Sequence, residues 1–300
     1  MIETKQLQIF VTVVEEMHFS RAADRLDIAQ SAVSTQIQKL EQGIGSRLFN
    51  RNKRQPLSLT DAGHLFYQEA LSALRHVERA EEVGRMAAQG ITGIVRLGFV
   101  ASAVTSGVLA TALKEFRKNY AQISLAFNPM ETPRQIDALA TGEIDVALVR
   151  PRRNYSSELI TRTIHRERLF VAMAQDHKLS KKSELHAADL CDETFVLPQF
   201  NEPEGFSETL NRLGMIGNFT ITSFFRVPDF LSAISLTAGG YGVALVPESV
   251  KSLGQPGNAF LPVSDFSEEA QLAIIYRKIE PSRAARSFVS SILNTYPALD

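Results

Sequence analysis

The sequence predicts an α/β protein that begins with an all-helical segment, and three observations carry that prediction. Before Gly43 apolar residues recur at three- and four-residue spacing. From Thr60 to Gly90 nothing interrupts a single helical pattern. From about Ile91 onward, short apolar runs of strand type alternate with helical stretches. Composition agrees, because the 300 residues are 44% hydrophobic and 22% charged, as expected of a globular chain of two or three domains. No apolar run approaches the roughly 18 residues that a membrane helix needs. The start MIETKQLQIF carries Glu3 and no small-residue cleavage site, which predicts a cytoplasmic protein without membrane contact. Cys191 is the single cysteine. It excludes an internal disulfide framework and is expected to be a core thiol. Net charge is −1, so any binding of nucleic acid has to come from a local patch.

Such a patch follows two short helical patterns. In FSRAADRL, Ser20 is expected to cap a helix whose apolar face is Ala22, Ala23 and Leu26. Asp27, Ile28 and Ala29 leave room only for a tight turn. Ser31 is expected to cap the second helix, in which Val33, Ile37 and Leu40 share the buried face. The opposite face carries Ser31, Ser34, Thr35, Gln38 and Gln42, small polar side chains without charge. A merely solvated helix more often shows Glu and Lys there. Hydroxyls and amides can enter a major groove and hydrogen-bond base edges. Gly43 and Gly45 are expected to stop the helix. Leu48 and Phe49 follow, then Arg51, Lys53 and Arg54 before Pro56, with no carboxylate between Glu41 and Asp61. Taken alone this run could be a solvated loop. After two such helices it reads as the basic wing of a winged helix-turn-helix over residues 1–60, with Gln30, Ser31, Ser34, Thr35 and Gln38 facing bases and the wing cations on phosphates or in the minor groove.

Thr60 can cap the next element, a helix over residues 61–90 that would span roughly 43 Å at about 1.5 Å per residue. Ala70, Ala73, Val77, Ala80, Gly84 and Ala87 form a seam of small residues on it. A seam of this kind lets another helix approach closely, whether from the same chain or from a second subunit.

The remainder, 91–300, contains IVRLGFV, ISLAFNP, DVALV, LFVAM, TFVLP and GVALVP as strands, with VLATALKEFRKNY, PRQIDALATG, FSETLNRLG and DFLSAISLTAGG as helices. This alternation predicts mostly parallel sheets. So long a stretch suits two subdomains with a cleft, at about 91–162 with 265–300 and about 163–264. The helix from Ser282 to Tyr296 then returns to the first. Ligands in such folds bind beyond strand ends and at helix N-termini. Three residues stand there: Ser102 after VRLGFV, Thr132 opening T-P-R-Q as a cap, and Arg150 after DVALV. Two hydroxyls and a fixed cation suit a carboxylate. Phe206 and Phe230 would add apolar walls. Each also has a plainer role: Thr132 as a cap only, Arg150 as a hinge ion pair, the two Phe as core.

The first 65 residues resemble the LysR-type transcriptional regulators. F-S-R-A-A, A-Q-S-A-V-S-T-Q-I-Q-x-L-E, L-F-x-R and L-T-x-A-G occur in order at that family's spacing. Ser31 stands where Pro is common and Thr35 where Arg is common, which bears on the bases read rather than on whether DNA is bound. FVAS, M-x-T-x-x-Q-x-x-x-L-x-x-G-x-I-D and the Phe206 region resemble the subgroup that senses muconate and related products of aromatic breakdown. The resemblance implies a domain similar to periplasmic binding proteins, a linker helix that pairs subunits into homodimers, and homotetramers built from them. It also implies a partly palindromic stretch of double-stranded DNA as partner, and it allows RNA polymerase as a further one. It implies a small-molecule effector, here an aromatic-derived carboxylate, and no cofactor. No HExxH, GxSxG or phosphate-loop pattern occurs, and the six histidines are scattered, so no metal site and no catalytic residue is expected. The alternatives are an enzyme of small anions fused to a DNA-binding domain, and a ligand-binding module whose winged helix serves protein contacts.

Overall fold

The structure, a computed structural model, describes residues 2–50, 56–88, 93–152, 154–198, 206–253 and 256–299. Two compact units divide the chain, Met1–Gly90 with Ala140–Glu143, and Ile91–Leu139 with Ile144–Asp300. No helix among the described residues is long and apolar enough to cross a membrane.

The first unit runs α1 (Thr4–Glu16), α2 (Phe19–Leu26), α3 (Gln30–Ile44), β1 (Phe49–Asn50), β2 (Ser58–Leu59) and α4 (Asp61–Ala88). The apolar periodicity puts Ile9, Phe10 and Val13 of α1, Ala22 and Ala23 of α2, and Val33, Ile37 and Leu40 of α3 into one core with Leu48 and Phe49. Phe10 is its centre, with ring centroids 5.4 Å from Phe49 and 5.1 Å from Phe66. Three end signals differ from the sequence reading. His18, not Ser20, caps α2, its Nδ1 accepting from the Ser20 amide, while the Ser20 hydroxyl donates to Gln30 Oε1 at 2.9 Å. Ala29 precedes α3 without a side-chain bond, so Ser31 is no cap. The turn needs none, because Asp27 adopts a left-handed φ of 52° and the Ile28 amide closes onto Ala23 O. Gly43 lies within α3, and Gly45, with φ 77°, is the stop.

Thr60 caps α4 as expected, accepting from the Gly63 amide at 3.0 Å, and donates to Arg47 O at 2.7 Å. The small-residue seam splits in two. Ala70 is buried in the core of its own unit, where α4 meets α1. Val77, Ala80 and Gly84 stay exposed, and the side chain of Ala87 lies outside the described residues.

The second unit holds a seven-stranded sheet of β3 (Gly93–Phe99), β4 (Ile123–Pro129), β5 (Val146–Val149), β6 (Leu159–Ala174), β9 (Ala244–Pro247), β10 (Asn258–Pro262) and β11 (Glu269–Arg277). The order is β10-β6-β11-β5-β3-β4, with β9 also on β6. A separate parallel pair joins β7 (Phe195–Pro198) to β8 (Phe224–Val227). Helices α5 (Ala101–Thr105), α6 (Val108–Asn119), α7 (Thr132–Ala140), α8 (Phe206–Gly217), α9 (Phe230–Ala238) and α10 (Arg283–Thr295) pack around these strands.

The main sheet is mixed rather than mostly parallel. β3 runs parallel to β4 and β5, but β11 is antiparallel to β5 and β6, and β6 is antiparallel to β9 and β10. The cause is β6, whose 16 residues span about 50 Å at about 3.3 Å each. Its first part pairs with β11 and its last part with β9 and β10. One apolar cluster gathers Val95, Leu97, Phe116 and Phe288, and another gathers Val171, Phe195, Leu213 and Leu245. β6 passes from the first cluster to the second between Ile164 and Leu169, and β11 returns between Ala270 and Leu272. Helix α10, capped by Ser282, packs into the first cluster with Phe288 against Phe116 at 4.8 Å. Cys191, expected in the core, is exposed, since it follows a short turn, Ala187–Leu190, whose buried apolar position is taken by Leu190.

The closest backbone approach in the first unit lies at Gly63, where a Cβ would stand 2.1 Å from the Leu48 carbonyl oxygen and 2.9 Å from a Leu59 methyl. Gly63→Ala should lift the start of α4 off Leu48 and cost about 1–3 kcal/mol. Urea unfolding followed by circular dichroism reads this as a lower midpoint, and an unchanged midpoint refutes it.

Candidate functional site

Three strand ends and four helix starts of the second unit converge on a cavity of about 450 Å³. That size lies within the range of small-molecule sites, about 300–1,000 Å³. Ser102 reaches it from α5, just beyond β3, Thr132 from the start of α7, just beyond β4, and Arg150 from the residue after β5. Phe206 opens α8 and Phe230 opens α9 on the opposite wall. All five residues singled out by sequence therefore line one cavity.

Ser102 is 6% exposed, and its hydroxyl is buried with no hydrogen-bond partner among the described residues. An unmade hydrogen bond on a buried polar group is costly, so this donor marks a place where a ligand oxygen would be welcome. Thr132 is buried but is not a cap. The Gln135 amide bonds to Glu131 O, and the Thr132 hydroxyl instead accepts from the Arg150 amide at 3.3 Å. A hydroxyl that accepts still has its proton to give. Below it Gln135, fully buried, donates from Nε2 to Met130 O at 2.8 Å and Leu148 O at 3.3 Å, fixing α7 to β5.

Arg150 is not a hinge ion pair. Its Nη1 donates to the Gln271 carbonyl of β11 at 2.9 Å. Burial pushes its pKa down to about 10, Glu167 opposes that shift, and Arg152 adds a like charge. The group is still a cation at neutral pH, held where its charge is poorly solvated. An anion in the cavity would relieve that cost.

The Phe206 and Phe230 rings meet edge to face at 5.4 Å. Phe230 serves both roles considered for it, as it is 8% exposed within an apolar cluster and also lines the cavity. Asp229 caps α9 through the Ser232 amide at 2.7 Å and so sets the angle at which Phe230 enters.

Sequence reasoning missed Arg152, Arg212, Glu268 and Gln271, which also line the cavity. Arg212 pairs through Nη2 with Glu268 Oε2 at 2.9 Å. Arg212 lies six residues beyond Phe206 on α8 and off its face of the helix, so register gave no signal for it. Gln271 acts through its main chain, which leaves no mark on residue type. The exposed acids Glu131, Asp229 and Glu269 stand among the cavity-lining residues too.

In the first unit, α3 presents Gln30, Ser31, Thr35 and Gln38 as exposed residues and Ser34 as half-buried, opposite the buried Val33, Ile37 and Leu40. The Thr35 hydroxyl donates back to Ser31 O at 2.8 Å. Arg51, Lys53 and Arg54 lie outside the described residues.

The family described as "Bacterial regulatory helix-turn-helix protein, lysR family" matches residues 4–64, and "LysR substrate binding domain" matches residues 88–297. The chain belongs to the LysR family. It is a transcriptional regulator that binds DNA through its helix-turn-helix, followed by a small-molecule-binding domain. Among similar proteins is the HTH-type transcriptional regulator BenM of Acinetobacter baylyi, 32% identical over 298 residues, covering 98% of this chain and 96% of that one. Full-length CbnR complexed with its target DNA is 25% identical with a TM-score of 0.72, covering 98% of this chain and 100% of that one. The BenM effector binding domain with its effector benzoate is 26% identical with a TM-score of 0.62, covering 69% of this chain and 93% of that one.

The unpartnered hydroxyl of Ser102 gives a test that needs no ligand. Ser102→Ala removes a buried donor without opening a large void, so the protein alone should be as stable as before or more stable by up to about 1 kcal/mol. A thermal melt checks this, and a clear loss of stability would show that the hydroxyl is already satisfied.

Proposed function

We propose that this LysR regulator binds a small aromatic carboxylate in the cavity of its second unit, and that occupancy changes how the protein sits on DNA in the cytoplasm. The observation that carries the reading is the unpartnered Ser102 hydroxyl in the same cavity as the desolvated cation Arg150. An unpaired carboxylate is very costly to bury, so a site for one needs donors that persist without water. Ser102, Thr132 and Arg150 are such donors, and Phe206 and Phe230 offer an apolar place for a ring. The benzoate held by the similar BenM domain belongs to the same ligand class. BenM is named as a transcriptional regulator, which favours a binding role for the cavity over a catalytic one.

On this reading, residues 1–60 bind DNA, 61–90 pair two subunits, and 91–300 sense the effector. The face of α3 bearing Gln30, Ser31, Ser34, Thr35 and Gln38 enters the major groove, and Arg51, Lys53 and Arg54 hold phosphates or the minor groove. A two-fold dimer through the exposed part of the α4 seam matches a partly palindromic site. Tetramers built from such dimers and contact with RNA polymerase follow from the same resemblance.

Titration of the full-length protein with benzoate should show binding that Ser102→Ala weakens by about 10- to 150-fold, the worth of a hydrogen bond to a charged group. Wild-type affinity in that variant would place the acid elsewhere. In α3, Gln38→Ala should cost about 1–3 kcal/mol on the operator and little on random DNA. Equal losses on both would make Gln38 a backbone contact. Ala80→Glu should split the dimer by burying like charges, a change light scattering detects. An intact dimer would move the interface off the seam.

A further inference from the structure

A carboxylate placed on Ser102, Thr132 and Arg150 leaves Arg212, another residue that lines the cavity, without a role. Arg212 comes from α8, on the wall formed by Phe206, and Phe206, Thr209 and Arg212 follow one another at three-residue steps along that helix. Its guanidinium is held at one end, where Nη2 meets Glu268 Oε2 at 2.9 Å. Its Nε is buried and has no acceptor among the described residues. Two residues that line the cavity thus carry a buried donor without a partner among the described residues, the Ser102 hydroxyl on the strand-end side and the Arg212 Nε–H on α8.

The charge around Arg212 decides what this second donor suits. Glu268 already neutralises it. A second carboxylate there would face Glu268 and compete with it for the same guanidinium, losing in repulsion what it gained from Nε. A neutral oxygen, hydroxyl or carbonyl, takes the hydrogen bond without that penalty and keeps the Glu268 pair intact.

We infer that Arg212 is a specificity-determining residue that selects an aromatic acid carrying a second, neutral oxygen acceptor on its ring, a hydroxy or oxo acid rather than a plain acid or a diacid. This rests on the carboxylate reading above and narrows it. Discrimination of this kind is strong because a site built to bond an oxygen is left with an unpaired buried group when the ligand lacks it.

The experiment is isothermal titration of the full-length protein with benzoate, meta- and para-hydroxybenzoate, and the meta and para benzene dicarboxylates, on wild type, Ser102→Ala, Arg212→Lys and Arg212→Gln. The wild type should bind at least one hydroxybenzoate about 10-fold more tightly than benzoate and than either diacid. That preference should vanish in Arg212→Gln, and also in Arg212→Lys, which keeps a cation for Glu268 but has no Nε–H at that place. Equal or better binding of benzoate or a diacid by the wild type, with Ser102→Ala still weakening every acid, overturns the role of Arg212 and leaves the carboxylate site standing. A hydroxybenzoate preference that survives both Arg212 variants also overturns it. No binding of any of the five acids overturns the carboxylate reading and this inference with it. The wild-type series decides the matter even if a variant fails to fold.

Discussion

The second unit carries at its cavity a half-buried guanidinium, Arg150, that has no carboxylate as its hydrogen-bond partner among the described residues. Arg150 stands at the end of β5, its amide on the Thr132 hydroxyl and its Nη1 on the Gln271 carbonyl. Each contact fixes position without cancelling charge. Burial therefore lowers its pKa, although Glu167 pulls the other way. A protein that only needed stability would gain by replacing such a group with an apolar one. On the proposed reading, holding the cation half-compensated keeps attraction for an anion in reserve, and Ser102, buried without a partner among the described residues, keeps a hydrogen bond in reserve beside the same cavity.

Gln271 belongs to β11, and β11 and β6 are the strands that pass between the two apolar clusters of this unit. The cavity-lining cation is thus tied to one of the elements on which the arrangement of the two clusters depends. One aromatic wall comes from the second cluster. Phe206 packs against it, and Phe230 belongs to a neighbouring apolar cluster with Ala233 and Ile234, the buried face of α9. A ring bound between those Phe side chains and a carboxylate bound at Arg150 would draw on both clusters at once. Any shift in strands β6 and β11 then changes the spacing between the two ends of the ligand.

Much of this was legible in the sequence where a local rule acts alone. The face of α3 followed from Val33, Ile37 and Leu40, and the Thr60 cap from one hydroxyl before an unbroken helix. Ser102 and Arg150 were found because the ends of β3 and β5 point where ligands sit in such folds, a rule needing only strand ends. The failures come where two signals compete. Ser20 looked like a cap, but His18 holds that role and frees the Ser20 hydroxyl for Gln30. Thr132 looked like a cap, but the hydroxyl is drawn to the Arg150 amide, a partner 18 residues away in sequence. The strand β11, EAQLAIIYR, and the first part of β6, LITRTIHRER, carry charges that hide them from a search for apolar runs. Arg212 and Gln271 were invisible because they enter the cavity from a helix face and a main-chain carbonyl brought in by that unseen pairing.

The DNA-facing side follows a different economy. With a net charge of −1 the chain as a whole does not attract DNA, so non-specific affinity must come from a small cationic region, and it will be sensitive to salt. On the proposed reading, α3 adds selectivity without charge. Two of its polar groups are already engaged within the protein, the Thr35 proton with Ser31 O and the Gln30 oxygen with the Ser20 hydroxyl. Those bonds fix which end of each group is left to meet a base. Gln30 then offers its amide donors and Thr35 its oxygen lone pairs, while Gln38, exposed, keeps both of its functions. A helix restricted in this way gives up some of the adaptable contacts a longer, charged side chain such as Arg would make at Thr35. What it gains is a narrower set of base edges it can satisfy, because every wrong edge leaves one of its fixed donors or acceptors unpaired.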